Sequence, residues 1–201
     1  AISRAGIGGQ IVFEDDGPVA SITLNSQVNL VLDESLGTDP AGLDTNATSD
    51  DNVAGNPFPA GYGTPIGLSS ANMVNVVTAD VGSDDEGADI DLSLGVLDAN
   101  SGLMTTDGQP ITLHQEADGS VTGRVGGASG TVIFAASIDA TGNVTVAQYD
   151  SLKHPTSPDN YDEPLNLAGK LEAVLTVTDG DQDVAISRAG IGGQIVFEDD
   201  G

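Results

Sequence analysis

The first 17 residues of the chain, AISRAGIGGQIVFEDDG, return letter for letter as residues 185–201. Seventeen identical positions at a spacing of 184 do not arise by chance. The chain therefore reads as one full period of a tandem array plus the first 17 residues of the next period. A parent protein with at least two nearly identical copies is expected. Solenoid units run to about 20–50 residues, so this period is far too long for one. It is long enough to bury a core of its own. The expectation is a bead on a string: residues 1–17 hold the end of a preceding repeat and its linker, and residues 18–201 form one bead that closes with the second copy, 185–201.

Charge narrows what such a bead can do. The chain carries 31 acidic and 5 basic residues. Dropping the duplicated segment's three acids and one base leaves a net charge of −24 per period. A surface of that sign repels nucleic acid and anionic membrane. No stretch approaches the roughly 20 apolar residues that span a bilayer, so no membrane insertion is expected. The chain has no cysteine, so a bead outside the cell needs another staple, and bound metal is one of few available. A divalent cation would also offset the repulsion between carboxylates. A single repeat is expected to be a monomer whose partners are the identical repeats beside it.

An acidic chain with 3% aromatic residues can be disordered, but 38% of this one is hydrophobic, and those residues sit in alternating runs. Residues 19–24 and 28–32 are rich in β-branched side chains around Asn25-Ser26-Gln27, which reads as a hairpin turn. Residues 38–70 are rich in Gly, Pro, Asn and Asp and read as a long loop. Strands are expected at 73–78 and 90–97 with an acidic loop, 80–89, between them. Hairpins are expected at 111–115 with 120–125 across Asp118-Gly119, and at 131–138 with 143–149 across 139–142. Residues 152–166 read as loop. Residues 170–178 place Leu171, Ala173, Leu175 and Val177 on one face. The turn 179–183 leads to a last segment, 184–197, interrupted by Gly190, Gly192 and Gly193. About ten strands, long Gly/Asp-rich loops and no convincing helix give an all-β fold, an antiparallel, immunoglobulin-like β-sandwich.

The carboxylates are clustered. Asp179-Gly-Asp-Gln-Asp183 resembles the first half of an EF-hand loop, where alternate hard oxygens converge on Ca²⁺. Position 12 of such a loop should be Glu and is here Gly190, so the other ligands must come from elsewhere. A solvated acidic turn is the bland alternative. Tracing the strands from the pole that Pro18 enters suggests where they lie. If 28–32 returns to that pole, Asp33 and Glu34 join Asp179, Asp181 and Asp183 there, together with Glu14, Asp15 and Asp16 of the linker. The last segment would end at the far pole, where Asp199 and Asp200 form the next half-site. A second candidate cluster, Asp80, Asp84, Asp85 and Asp89, occupies one loop. A third, Asp44, Asp50 and Asp51, reads as solvated loop.

The terminal VTDGDQD, the linker FEDDGP, the LDES segment, the central GLMTTDGQPITL and the late YDSLKHP together resemble the long extender repeats of RTX adhesins, giant surface proteins that Gram-negative bacteria export by type I secretion. The resemblance implies an extracellular β-sandwich with Ca²⁺ at its domain junctions, serving as a spacer that projects a distal ligand-binding domain. On that pattern Asp179, Asp181, Asp183, Asp15 and Asp16 would be junction ligands.

Other classes fare worse. His154 lies near Ser151 and Ser157, but adjacent residues do not make a triad and no nucleophile elbow surrounds either serine. His114 falls in a strand-like run. Gly6-Ile-Gly-Gly9 is too short for a phosphate loop and precedes no helix. An enzyme is not expected. The alternative is a β-sandwich module that binds glycan or another copy of itself. Near-identical repetition favours the spacer, since length then grows with copy number. Glycan sites usually present exposed aromatics, and the chain has no Trp and only Tyr62, Tyr149 and Tyr161.

Overall fold

The computed structural model describes residues 2–6, 8–10, 12, 16–33, 56–155 and 163–198. The described residues form fourteen strands and no α-helix. Alternation builds them. In the strand Leu171–Thr178, inward Leu171, Ala173, Leu175 and Val177 are buried while the residues between them are partly exposed. A strand so patterned lays one face on a core and leaves the other toward water.

In chain order the strands are β1 (Val19–Leu24), β2 (Leu30–Asp33), β3 (Gly67–Asn72), β4 (Val74–Asp80), β5 (Asp89–Val96), β6 (Asn100–Met104), β7 (Pro110–Gln115), β8 (Val121–Val125), β9 (Thr131–Ile138), β10 (Asn143–Gln148), β11 (Leu165–Asn166), β12 (Leu171–Thr178), β13 (Val184–Gly190) and β14 (Ile195–Glu198). They assemble as β1-β4, β13-β12-β5, β11-β14-β2 and the six-stranded β3-β10-β9-β8-β7-β6. All pairs are antiparallel except β14 with β2.

Four threads of chain change sheets at one level. β1 passes to β2 and β13 to β14, while β3 runs on into β4 through Met73 alone and β11 into β12 through a turn at 167–170. Backbone bonds tie the crossings together: Asn25 donates to Met73 O at 2.8 Å, Leu167 to Gly192 O at 2.9 Å and Ile191 to Leu171 O at 3.1 Å. The result is a waist. On one side β4, β1, β13, β12 and β5 lie together. On the other, β11-β14-β2 faces the six-stranded sheet. Phe197 of β14 meets Phe134 of β9 with ring centroids 5.2 Å apart, and both side chains are fully buried.

One expected turn is absent. The β-branched run after Asn25-Ser26-Gln27 does not fold back on β1. It continues in the same direction and lies against β3, paired in parallel with β14. Asn25 is held by Met73 O, and its Nδ2 donates to Asn72 O at 3.1 Å, so the turn kinks the strand rather than reversing it. Both hairpins read from Asp118-Gly119 and from 139–142 are present. Strands β3, β6 and β11 are additional to those expected; β3 begins inside the 38–70 stretch read as loop, and β11 lies within the 152–166 one.

The two copies of the duplicated segment differ. Residues 184–198 form β13, a 3₁₀ turn at Gly192–Gln194 and β14. In the first copy the described residues 2–6, 8–10 and 12 are all exposed and lie in no strand, yet Gly8–Gln10 forms the same 3₁₀ turn.

Candidate metal centre

The turn between β12 and β13 is built by Asp179. Its backbone N–H donates to Asp183 O at 3.1 Å, and its Oδ1 accepts from Asp183 N–H at 2.8 Å. Gln182 takes a φ of 81°, which closes the turn. These bonds turn the Asp179 carboxylate inward, where it is 1% exposed. Its second oxygen, Oδ2, is buried and has no hydrogen-bond partner. A carboxylate oxygen left in that state costs free energy that a cation would recover. Asp181 and Asp183 are exposed, and one carboxylate oxygen from each of the three residues lies within 4.8 Å of the others. Oxygens at about 2.3–2.6 Å from a shared ion stand that far apart. The three carboxylates could hold a metal ion.

The 80–89 loop joins β4 to β5 and presses against this turn. Asp80 is opposite Val19, Asp89 is opposite Thr178, and Thr178 is opposite Val184, so both loops share one end of the molecule. Gly180 N–H donates to Asp84 O at 2.9 Å. A Cβ at Gly180 would strike the Asp84 carboxylate and stand 2.8 Å from Glu86 O. Only glycine lets the two loops approach so closely.

Asp16 completes the arrangement. Ser83 Oγ donates to Asp16 Oδ2 at 3.2 Å. A Cβ on Gly82 would lie 2.5 Å from Asp16 O, so the chain leading into β1 is seated on the 80–89 loop. Gly82 N–H in turn donates to Asp80 Oδ1 at 3.0 Å.

The structure thus gathers Asp16, Asp80, Asp84, Asp85, Asp89, Asp179, Asp181 and Asp183 at one acidic pole, and two clusters that the sequence presents separately are adjacent. Asp33 is not among them. Its backbone pairs with Glu198 at the opposite pole, because β2 runs on beside β14. Glu14, Asp15, Glu34, Asp199 and Asp200 lie outside the described residues, as do Asp44, Asp50 and Asp51. Counting carboxylates overlooked the carbonyls of Asp84 and Glu86. Backbone oxygens carry no residue signature, although the glycine between Asp179 and Asp181 marks where one approaches.

Nothing basic offsets the pole among the described ion pairs. Arg124 pairs with Glu116 at 2.9 Å, Lys170 with Asp98 at 2.6 Å, and Arg188 with Glu172, all away from it. Glu116 is half-buried. Desolvation raises its pKa, but hydrogen bonds from Thr122 and Arg124 outweigh that and hold it below the usual carboxylate range. His154 is buried with Nδ1 2.8 Å from Glu163 O, and His114 Nε2 shares a hydrogen bond with Thr112 Oγ1 at 2.8 Å. No described helix is long and apolar enough to cross a membrane.

Residues 29–192 match the model of DUF5801, a domain of unknown function. No curated protein and no solved structure matches the chain.

Proposed function

This chain belongs to the DUF5801 family, and we propose that it is a non-enzymatic spacer repeat of an exported bacterial surface adhesin, made rigid by Ca²⁺ bound at its acidic pole. One observation carries the reading. The Asp179 carboxylate is buried with an unpartnered oxygen, at the centre of a pole crowded with carboxylates. Hard oxygen donors in a flexible ring suit Ca²⁺ better than a softer or smaller ion. Asp16 gives the pole its mechanical meaning, because it sits in the segment that precedes the bead and rests on the bead's own loop. An ion shared between that segment and the Asp179 turn would fix the direction in which the chain enters. Repeated along an array, such joints make a stiff rod that holds a distal ligand-binding domain away from the cell. The likeness to RTX extender repeats supports the same reading.

The two described tyrosines do not favour a glycan-binding role. Tyr62 and Tyr149 pack edge to face at 6.0 Å, and the Arg124 guanidinium lies 5.4 Å from the centre of the Tyr62 ring.

Two measurements test the proposal. Calcium at a hundredfold excess over Kd should contribute about 2.7 kcal/mol per site, so EDTA should lower the melting temperature clearly. A chain of several repeats should lengthen in small-angle scattering when millimolar calcium replaces EDTA. Equal melting curves or equal maximum dimensions would overturn it.

A further inference from the structure

We propose that the two ends of the bead form a shear clamp that carries tension along the chain. This deepens the spacer reading, since a spacer under drag is pulled end to end, but the clamp is a property of this fold and stands or falls separately. Chain enters at Pro18 beside the acidic pole and leaves past Glu198 at the opposite one. Between those points the first and last threads run side by side in the same direction. β1 lies against β13, where Ile22 N–H donates to Ser187 Oγ at 3.1 Å, and past the waist the backbone ladder of β2 with β14 begins at Leu30–Ile195. The pairing continues through Val31–Val196 and Leu32–Phe197 to Asp33–Glu198. At the crossing, Gln194 Nε2 reaches Asn25 O at 2.9 Å and also Val28 O.

Tension pulls β1–β2 back toward Pro18 and β13–β14 forward past Glu198. Parallel strands drawn in opposite directions along their length load every rung together. A hairpin opened from its free end loses one rung at a time. Phe197, fully buried against Phe134, must also be dragged through the core before β14 can slide. Unfolding under force is set by the height of the unfolding barrier, and this geometry raises it for one pulling direction only.

Single-molecule force spectroscopy on the full chain tests the clamp. The chain has no cysteine, so paired cysteines serve as unique handles. In the same calcium buffer, load is applied either through the chain ends or through Ala168→Cys and Gly190→Cys, which open β12 from β13. The expected result is an end-to-end unfolding force at least about twice that of the unzipping direction. Gln194→Ala should lower the end-to-end force and leave the unzipping force unchanged. Equal forces in the two directions, or an end-to-end force insensitive to Gln194→Ala, would overturn the clamp. If the variant does not fold, the comparison of directions decides alone. Loss of the clamp leaves calcium-dependent lengthening of an array untouched, and failure of that lengthening leaves the clamp standing.

Discussion

Single atoms decide the chemistry of the acidic pole. The oxygen of Asp179 that lacks a partner distinguishes this turn from a solvated acidic hairpin, and a sequence pattern cannot show it, because Asp179, Asp181 and Asp183 look alike in print. Asp179→Asn keeps Oδ1 for the Asp183 amide and removes the charge. Calcium affinity by calorimetry should fall about tenfold or more, equivalent to about 1.4 kcal/mol. In EDTA the variant should melt no lower than the parent, because an uncompensated buried charge has gone. Unchanged affinity would remove Asp179 from the ligand set. Tyr149 contributes to alkaline behaviour. Burial pushes the Tyr149 phenol from 10.0 up to about 12, and proximity to Tyr62 adds to this. The folded state therefore prefers the neutral phenol. That stability is complete below about pH 10 and is lost as pH climbs through about 12. Tyr149→Phe should flatten melting temperature against pH across this window; the same alkaline slope in both proteins would show that Tyr149 does not report folding.

At the scale of elements, the duplicated segment separates what local sequence dictates from what packing dictates. The Gly-Gly-Gln turn forms in both copies, at Gly8–Gln10 and at Gly192–Gln194. Among the described residues only the second copy forms strands, since only there are β12, β11 and β2 available as partners. Identical glycines accordingly have different tolerances. A Cβ on Gly192 would collide with Leu167 O, whereas Gly8 has nothing within 4 Å. Gly192→Ala should cost about 1–3 kcal/mol in denaturant titration, and Gly8→Ala should stay within about 0.5 kcal/mol. Equal costs would mean that the first copy is also packed. The same contrast explains which strands were legible. Leu171–Thr178 alternates strongly and Thr131–Ile138 is a continuous apolar run between turn signals, and both are legible to within a residue. Gly67–Asn72 has the sequence GLSSAN, with little to announce a strand, and is recruited by β10. Asn25-Ser26-Gln27 looks like a hairpin turn, but Asn25 bonds across to Met73, so a long-range contact turns it into a kink. A hairpin at that turn would place Asp33 at the acidic pole, whereas the kink carries it to the opposite one. The Asp80–Asp89 cluster was visible by composition, but its meeting with Asp179 depends on strand pairing, which no local pattern records.

For the whole molecule, charge and topology act together. With a net charge of −24 per period and eight of the candidate carboxylates at one pole, the calcium-free chain repels itself. Raising NaCl from about 0.01 to 0.5 M shortens the Debye length from about 30 Å to a few Å. The melting temperature in EDTA should therefore rise with salt, and the rise should be much smaller in saturating calcium. Equal salt dependence in both conditions would mean that the ion does not neutralise the pole.

The placement of β14 also governs when a bead can exist at all. It lies between β11 and β2, so the last strand of the unit is interior to its sheet and pairs with β2, the end of the first thread, from Leu30 to Asp33. A polypeptide emerging gradually through a narrow channel, from either end, lacks one side of that seam until the whole unit is through. If the chain is exported as proposed, each repeat would wait as an open chain and close in a single event. On the proposed reading, an array threaded through such a channel would acquire structure in discrete steps, one complete unit at a time, and each closed unit, too wide to slip back, would ratchet the rest outward.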